Sequence, residues 1–360
     1  MLVSVIIPAY NEESTVKSLI EKIKKSDIQP EIKLEIIVVN DGSTDKTAEI
    51  ISSIDDVYLI NQSNQGKGKA VQNGIKISSG DFILIQDADL EYSPNDYKIL
   101  FEPILNYKSG ISVYGRRKKS INDFSPKIIS WIKKHPEQPF TSWIANIFLS
   151  LLVFILYGRF ISDTLTGYKI YPKSFFDNNE INSKGFEADH EITVKLFQNN
   201  YEIIEVPVDF FPRTVEEGKK IGIRDFFVAI IVFVKFSFNN EITRYIFGGG
   251  TTFLIDFIIY SLLTRFIGLD YLTSRSISIV CAIVYNFMLY KYFVFKSDAG
   301  WALEKIKYIL IISLTASLNF SIMFVLVTTI KINDLIALIV GTISVVILNF
   351  LGHKFWTFKK

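Results

Sequence analysis

Over roughly the first 235 residues, short and nearly unbroken apolar runs alternate with amphipathic stretches. Val3–Pro8, Leu34–Asn40, Val57–Asn61, Phe82–Gln86 and Ile111–Tyr114 predict strands buried on both faces, as in a parallel sheet. Between them, Val16, Leu19, Ile20 and Ile23 recur at helical spacing. A second helix is predicted after Asp45, a good N-cap residue, and a third over about Gly68–Ser78. Strand–helix alternation of this kind predicts an open α/β sheet. Such sheets bind ligands at the carboxyl ends of their strands.

The remaining sequence has another solvent. Tyr245–Ile267, Ser276–Phe295, Tyr308–Ile330 and Leu335–Trp356 are each about the ~20 residues a helix needs to cross ~30 Å of hydrocarbon. A soluble bundle would require a polar face on each, and Ile277–Ala282 and Leu335–Val340 show none. The spans also repeat: shifted by 63 positions, Arg244–Ser297 aligns with Lys307–Lys360 without a gap, and 13 of 54 pairs are identical. Each copy holds two spans, so the hairpins are expected to be parallel copies about an axis along the membrane normal. Lys291, Lys296, Lys305, Lys307, Lys354, Lys359 and Lys360 flank one side, against Arg265, Arg275 and Lys331 on the other. The excess of basic residues places the first half in the cytoplasm. Ser142–Tyr157 and Asp225–Phe238 are apolar but short, and are expected to lie as interfacial helices in the headgroup layer; for the first, a buried helix of the α/β domain is the alternative. The expected division is a catalytic domain over 1–222, an interfacial helix or linker over 223–240 and a four-span membrane domain over 241–360.

Composition agrees with two halves. Hydrophobic residues make up 49% and charged residues 21% of the 360, an awkward pairing for one soluble globule. One cysteine, Cys281, excludes a disulfide scaffold, and three scattered histidines argue against a histidine-built metal site. A net charge of +2 makes no case for nucleic acid. The first residues show no basic region and too short an apolar run for a secretory signal.

Candidate chemistry falls at the strand ends. Pro8-Ala9-Tyr10-Asn11-Glu12-Glu13 follows the first strand, where Asn11 is a candidate helix cap. Asn40-Asp41-Gly42-Ser43-Thr44-Asp45 closes the second, and a carboxylate there can accept hydrogen bonds from a nucleotide. Gln86-Asp87-Ala88-Asp89-Leu90-Glu91 closes a strongly apolar strand. If that strand persists, Asp87, Asp89 and Glu91 share one side. Converging carboxylates suit a hard cation such as Mg²⁺ or Mn²⁺ with a diphosphate.

Together with Asn64-Gln65-Gly66-Lys67-Gly68-Lys69-Ala70, these stretches resemble the sugar-nucleotide site of inverting glycosyltransferase family 2, with its glycosyltransferase A (Rossmann-like) α/β fold. The resemblance implies that Pro8, Ala9, Tyr10, Glu12, Asp41, Lys69, Asp87 and Ala88 bind the nucleotide sugar, and that Asp89 and Glu91 hold the metal. Gly115-Arg116-Arg117, Asp163–Lys169, Lys184–Glu191 and Arg213–Lys220 resemble the polyprenyl-phosphate branch, and the tail resembles a GtrA-like membrane domain. In that branch Arg117, Arg213 and Lys219 match the basic residues that hold phosphates. The segment near 122–160 departs from the mannose-synthase pattern, being longer and more apolar.

The resemblance implies a membrane enzyme that moves a hexose from a nucleoside-diphosphate sugar to a polyprenyl phosphate, with Asp89, Arg117, Asp189 and Glu191 as catalytic candidates. Asp189, His190 and Glu191 are expected to orient sugar hydroxyls or the acceptor. Homo-oligomer formation is compatible with the membrane half. Alternatives are a transferase using a phospholipid or other membrane acceptor, and a sugar-lipid flippase-coupled binding protein. A processive polysaccharide synthase is disfavoured because the chain lacks a Gln-x-x-Arg-Trp motif.

Overall fold

A computed structural model describes residues 1–106, 110–118, 140–212, 223–238, 240–332 and 334–359. It divides into two units, 1–236 and 237–360.

The first unit is built on a seven-stranded sheet in the order β3-β2-β1-β4-β6-β5-β7. Its strands are β1 Leu2–Ala9, β2 Lys33–Asp41, β3 Tyr58–Gln62, β4 Phe82–Ile85, β5 Ile111–Arg117, β6 Lys169–Pro172 and β7 Glu202–Val208. The five strands expected from the apolar runs are present. Two more, β6 and β7, complete the sheet, and β6 runs antiparallel to both β4 and β5, so the sheet is mixed rather than all-parallel. The expected helix Val16–Lys24 buries Val16, Leu19, Ile20 and Ile23, the apolar stripe of the sequence.

Alternating strand residues build two apolar layers. Val3, Val5, Ile7, Val38 and Leu84 face the Val16–Lys24 and Tyr97–Asn106 helices. Ile6, Ile37, Val39, Ile83 and Ile85 face the opposite layer, which holds the helices Lys67–Ile77, Phe140–Tyr157, Ala188–Gln198 and Ile223–Ser237. Side chains this deeply buried contribute about 1.5–3 kcal/mol each relative to exposure.

The Phe140–Tyr157 helix buries Asn146, Leu149, Ser150, Val153 and Leu156 along one face. Asn146 fixes it to the following strap by donating to Ser162 O (2.9 Å) and accepting from Thr164 N (3.2 Å). Its other face exposes Ile144, Phe148, Leu151, Phe154 and Ile155. The Ile223–Ser237 helix likewise buries Ala229 and Phe233 against the first unit and exposes Phe227 and Ile231.

The second unit contains the helices Glu241–Arg265, Tyr271–Leu289, Trp301–Phe324 and Asp334–Gly352. Among the described residues, three helices of the chain are long and apolar enough to cross a membrane: Phe140–Tyr157, Glu241–Arg265 and Ser276–Val294.

The internal repeat is visible in the contacts. The second helix of each copy ends in a π-helical turn, Tyr290–Val294 and His353–Thr357, 63 residues apart. Asn286 Nδ2 donates to Thr252 Oγ1 (2.8 Å), and at the equivalent positions Thr315 Oγ1 donates to Asn349 Oδ1 (2.7 Å). Lys291 pairs with Glu304 (2.5 Å), whereas its equivalent Lys354 pairs with Glu241 (2.9 Å), the equivalent of Glu304. Each copy therefore supplies a lysine to the other copy's glutamate, as an internal twofold requires.

The two pairs differ in solvation. Lys291 and Glu304 side chains are each 3% exposed, whereas Lys354 is 40% and Glu241 29% exposed. Breaking a buried pair leaves an uncompensated charge and costs about 3–5 kcal/mol, against about 0–1 for an exposed one. Lys291→Met is therefore expected to lower the thermal midpoint in detergent several-fold more than Lys354→Met. Equal losses would contradict this difference in burial.

Candidate active site

Three loops meet at the carboxyl ends of β1, β2 and β4. After β1, Asn11 takes a left-handed backbone (φ 54). Its side chain does not cap the next helix: Oδ1 accepts from Thr44 N (2.9 Å), and its own N donates to Ser43 Oγ (3.0 Å). Glu12 N donates to Thr47 Oγ1 (2.9 Å), lacing the first loop to the second. Asp45 Oδ1 accepts from Thr47 N (3.0 Å), but the second helix starts at Thr47 with Lys46 in the N-cap position, so Asp45 stands one residue before the cap expected of it. Pro8 and Ala9 close β1, Ala9 and Glu12 are buried, and Tyr10 is exposed at the loop surface.

Asp41 is buried, and its carboxylate organises the neighbouring loop. It accepts from Gln65 N (2.8 Å), Gly66 N (2.9 Å) and Gln62 Nε2 (2.7 Å). Gly42 follows with φ 71, and a Cβ there would lie 2.6 Å from Asn64 N, so the close approach of the two loops requires glycine. The loop held by Asp41 leads directly into the Lys67–Ile77 helix.

The acidic loop departs from the expected geometry. β4 ends at Ile85, and Gln86–Glu91 turn away with Leu90 in the left-handed region (φ 62). Strand alternation therefore does not place Asp87, Asp89 and Glu91 on one side. Asp87 is bound to Lys67 Nζ at 2.7 Å, so one of the three carboxylates already has a cationic partner from the protein. Gly167 sits against Asp87, where a Cβ would lie 2.7 Å from Oδ2. Asp89 Oδ1 accepts from Glu91 N (3.1 Å), and both side chains are half-buried.

Lys67 Nζ also lies 3.7 Å from Asp189, so one cation joins the acidic loop to the start of the Ala188–Gln198 helix. Burial disfavours the Lys67 ammonium, but Asp87 and then Asp189 outweigh it and hold the lysine charged far above its ordinary range. The resemblance pointed instead to Lys69, whose backbone N–H donates to Lys184 O (3.0 Å) and anchors the helix start. A signal for Lys67 existed: it lies three and four residues before the buried Ala70 and Val71, on the stripe that continues through Gly74 and Ile75.

The four catalytic candidates separate. Asp89 and Asp189 lie in the network just described. Glu191 instead braces a loop. Fully buried, it accepts from Asn182 N (3.1 Å) and Ser183 N (2.8 Å) and pairs with Lys195 (2.7 Å), holding the segment that precedes its own helix. Arg117 ends β5 and forms a bidentate pair with the buried Asp163, Nε to Oδ2 at 2.7 Å and Nη2 to Oδ1 at 2.6 Å, with its guanidinium 5.0 Å from the Phe210 ring. Burial opposes its charge, and Asp163 more than restores it. Ala88 is buried within the acidic loop. Arg213 and Lys219 lie outside the described residues.

His190 is buried against Phe233, with ring centroids 5.1 Å apart. Burial first, and then Lys169, lower its pKa to about 4, so it is neutral near pH 7 and is not a ready proton source.

Buried loops, a half-exposed aspartate and ordered cations at a sheet's carboxyl edge make this region the candidate site. Residues 4–166 match the family model described as glycosyl transferase family 2, and residues 244–358 match the GtrA/DPMS transmembrane domain. The chain joins a family 2 glycosyltransferase domain to a GtrA/DPMS membrane domain. Among curated relatives, it is 26% identical over 229 residues to the UDP-N-acetylglucosamine–dolichyl-phosphate N-acetylglucosaminyltransferase of Methanococcus voltae, covering 58% of this chain and 84% of the relative. It is 31% identical over 219 residues to a dolichyl-phosphate beta-glucosyltransferase of Trichomonas vaginalis, covering 57% and 62%. A third relative, the undecaprenyl-phosphate 4-deoxy-4-formamido-L-arabinose transferase of Proteus mirabilis, is 33% identical over 138 residues, covering 37% and 40%. Among solved structures, the fold of glucosyl-3-phosphoglycerate synthase from Mycobacterium tuberculosis with UDP aligns at a TM-score of 0.50 and 18% identity, covering 65% of this chain and 79% of that one. The glycosyltransferase A fold expected from the sequence is thus the fold of the first unit.

Proposed function

We propose that this glycosyltransferase moves a hexose from a nucleoside-diphosphate sugar to a polyprenyl phosphate, with inversion at the anomeric carbon. The observation that carries the reading is the pairing of a family 2 site with a GtrA/DPMS membrane domain in one chain, together with relatives named for dolichyl- and undecaprenyl-phosphate transfer. The loops after β1 and β2, with Pro8, Ala9, Tyr10, Glu12 and Asp41, would cradle the nucleotide.

A lipid phosphate is already an anion near pH 7, so its oxygen can attack without a strong general base. The new bond joins that oxygen to the anomeric carbon while the bond to the diphosphate breaks, and the electron pair leaves with the diphosphate. The protein positions two like-charged groups and stabilises the departing charge. Asp163 holds the Arg117 guanidinium in place through Nε and Nη2, which leaves the remaining Nη N–H donors to meet a phosphate.

Half-buried Asp89, with Glu91 beside it, supplies the hard oxygen ligands that Mg²⁺ or Mn²⁺ prefers. Among the described residues no group of three His, Cys, Asp or Glu side chains could hold an ion, so the remaining ligands would be diphosphate oxygens and water. When bound, such an ion supplies charge neutralisation for the leaving group.

The acceptor's phosphate lies in the headgroup layer and its tail in hydrocarbon. The outward apolar faces of Phe140–Tyr157 and Ile223–Ser237 suit a catalytic unit resting at that boundary. Four crossing helices, and a cytoplasmic catalytic unit as the lysine bias requires, complete this reading.

Incubating the detergent-purified full chain with UDP- and GDP-sugars and a polyprenyl phosphate, the free polyprenol or a phospholipid tests the assignment. Labelled sugar is expected in the organic phase with the polyprenyl phosphate alone. Transfer to the phospholipid but not to the polyprenyl phosphate would overturn the acceptor assignment. Arg117→Lys loses the Asp163-anchored guanidinium and its remaining Nη donors, and is expected to raise the acceptor KM about 10–100-fold with a smaller change in the donor KM. An unchanged acceptor KM would remove Arg117 from the acceptor phosphate.

A further inference from the structure

The chain leaves β7 at Val208, the register partner of Arg117. Because β6 runs antiparallel to both β4 and β5, and β7 runs parallel to β5, this exit lies on the same edge of the sheet as the acidic loop. The next three residues, Asp209, Phe210 and Phe211, are each tied to a neighbour. Asp209 N donates to Asp96 Oδ2 (2.8 Å), and the Asp209 carboxylate pairs with Lys118 (3.0 Å). The Phe210 ring lies 5.0 Å from the Arg117 guanidinium, and its centroid is 5.2 Å from that of Tyr92. Phe211 N donates to Glu91 O (2.9 Å).

These contacts reach both sides of the candidate site. Asp163 grips the edge of the Arg117 guanidinium through Nε and Nη2, while Phe210 covers one of its faces. Glu91 closes the acidic loop and Tyr92 follows it, so the same three residues also support the loop that carries Asp89. The anchor is Asp96. It is 8% exposed, and among the described residues its carboxylate makes no ion pair within 4 Å and one hydrogen bond, the one to Asp209 N. A buried carboxylate is costly to hold unless it is well bonded. Its base is firm: the Pro94–Asp96 turn is capped by Ser93, whose Oγ accepts from Asn95 N (3.3 Å) and whose carbonyl accepts from Tyr168 Oη (3.1 Å).

We propose that Asp209–Phe211 is a tether that sets the Arg117 guanidinium in register with the acidic loop, and that Asp96 is the positioning residue that anchors it. In-line transfer needs the acceptor phosphate and the donor's diphosphate aligned at once, and a misplacement of about 1 Å can cost about 10²-fold in rate. With the tether loose, Asp163 still holds Arg117 and Lys67 still holds Asp87, so each substrate still finds its own contacts. What is lost is their mutual alignment, which appears in kcat rather than in either KM. This kinetic consequence rests on the proposed function; the tether itself does not.

The test compares wild type with Asp96→Ala, Asp96→Asn, Phe210→Leu and the Asp96→Ala/Phe210→Leu double variant, all as full chains in detergent. Asparagine keeps an oxygen that accepts from Asp209 N. Two quantities are measured: amide hydrogen exchange at residues 209 and 211, and kcat with both KM values. In Asp96→Ala the Phe211 amide is expected to exchange about 10-fold faster, although its own acceptor, Glu91 O, is untouched. In the same variant kcat should fall about 10-fold while both KM values stay within about 3-fold of wild type.

Asp96→Asn should return both quantities toward wild type. The double variant should be no slower than the slower single variant, because both changes act through one tether. Faster exchange confined to Asp209, with Phe211 protected as in wild type, would overturn the tether. An unchanged kcat in Asp96→Ala, or a rise in both KM values at constant kcat, would overturn its role in alignment. If Asp96→Ala does not fold, Phe210→Leu carries the same two measurements. If the wild type transfers no sugar, the proposed function fails, while exchange at Phe211 still decides the tether.

Discussion

Replacing Asp89 by asparagine is expected to lower kcat/KM by about 10³-fold at saturating Mg²⁺ or Mn²⁺. The substitution retains the size of the side chain and an oxygen able to accept from Glu91 N, the contact seen at 3.1 Å. It removes the negative charge that a hard cation requires. Because Asp89 is half-buried and its loop is anchored elsewhere, through the contact of Phe211 N with Glu91 O (2.9 Å), the thermal midpoint should stay near wild type. Loss of turnover with an unchanged midpoint separates a chemical role from a structural one. Turnover at the wild-type level would refute the metal assignment. Glu91→Gln is expected to cost less, since Glu91 stands beside Asp89 rather than in its place.

Lys67→Met should have the second-largest effect, on stability and activity together. The lysine stands 2.7 Å from Asp87 and 3.7 Å from Asp189, and the three side chains are only 13%, 22% and 16% exposed. Removing the cation leaves two poorly solvated carboxylates facing each other, a loss of about 3 kcal/mol by the behaviour of broken buried pairs. Lys67 is held above its unfolded pKa, so its contribution is fully present below that unfolded value of about 10.4 and lost only as the pH rises through the folded one. The destabilisation should therefore be nearly constant between about pH 6 and 9. Chemical unfolding across that window measures it directly. Adding Asp189→Asn should recover part of the loss, because the second change removes one of the stranded charges. Strict additivity of the two changes would mean that Lys67 does not link them.

These expectations show where the sequence was informative. β1, β2 and β4 were legible because strands covered on both faces must be apolar throughout, leaving no ambiguity of period. β6 was not. It is four residues long, begins with a lysine and ends with a proline, and becomes a strand because β4 and β5 flank it. β7 was hidden by its half-buried residues at the sheet edge. The repeat in the membrane half could be read at the level of single pairs, since the 63-residue offset relates Lys291–Glu304 to Lys354–Glu241 and the two π-helical turns to each other.

The site was legible as a set of loops and less so as a set of contacts. The three strand ends do form one region. Within it, a pattern of carboxylates does not reveal which are neutralised by distant lysines, and so Asp87 reads as free until the fold brings Lys67 beside it. Asp189 and Glu191 are two residues apart on one helix, which sends them to different sides: one toward Lys67, the other to the loop at 182–183. Lys169 lies within a motif visible in the sequence, but only the tertiary fold shows that its charge is enclosed.

The anomeric configuration of the lipid product tests the reaction at its reacting carbon. With an α-linked nucleotide sugar and a polyprenyl phosphate, attack by the lipid phosphate opposite the departing diphosphate yields a β-linked product, readable from the anomeric proton coupling of the purified lipid. An α-linked product would contradict the single displacement and require a different chemistry at this site.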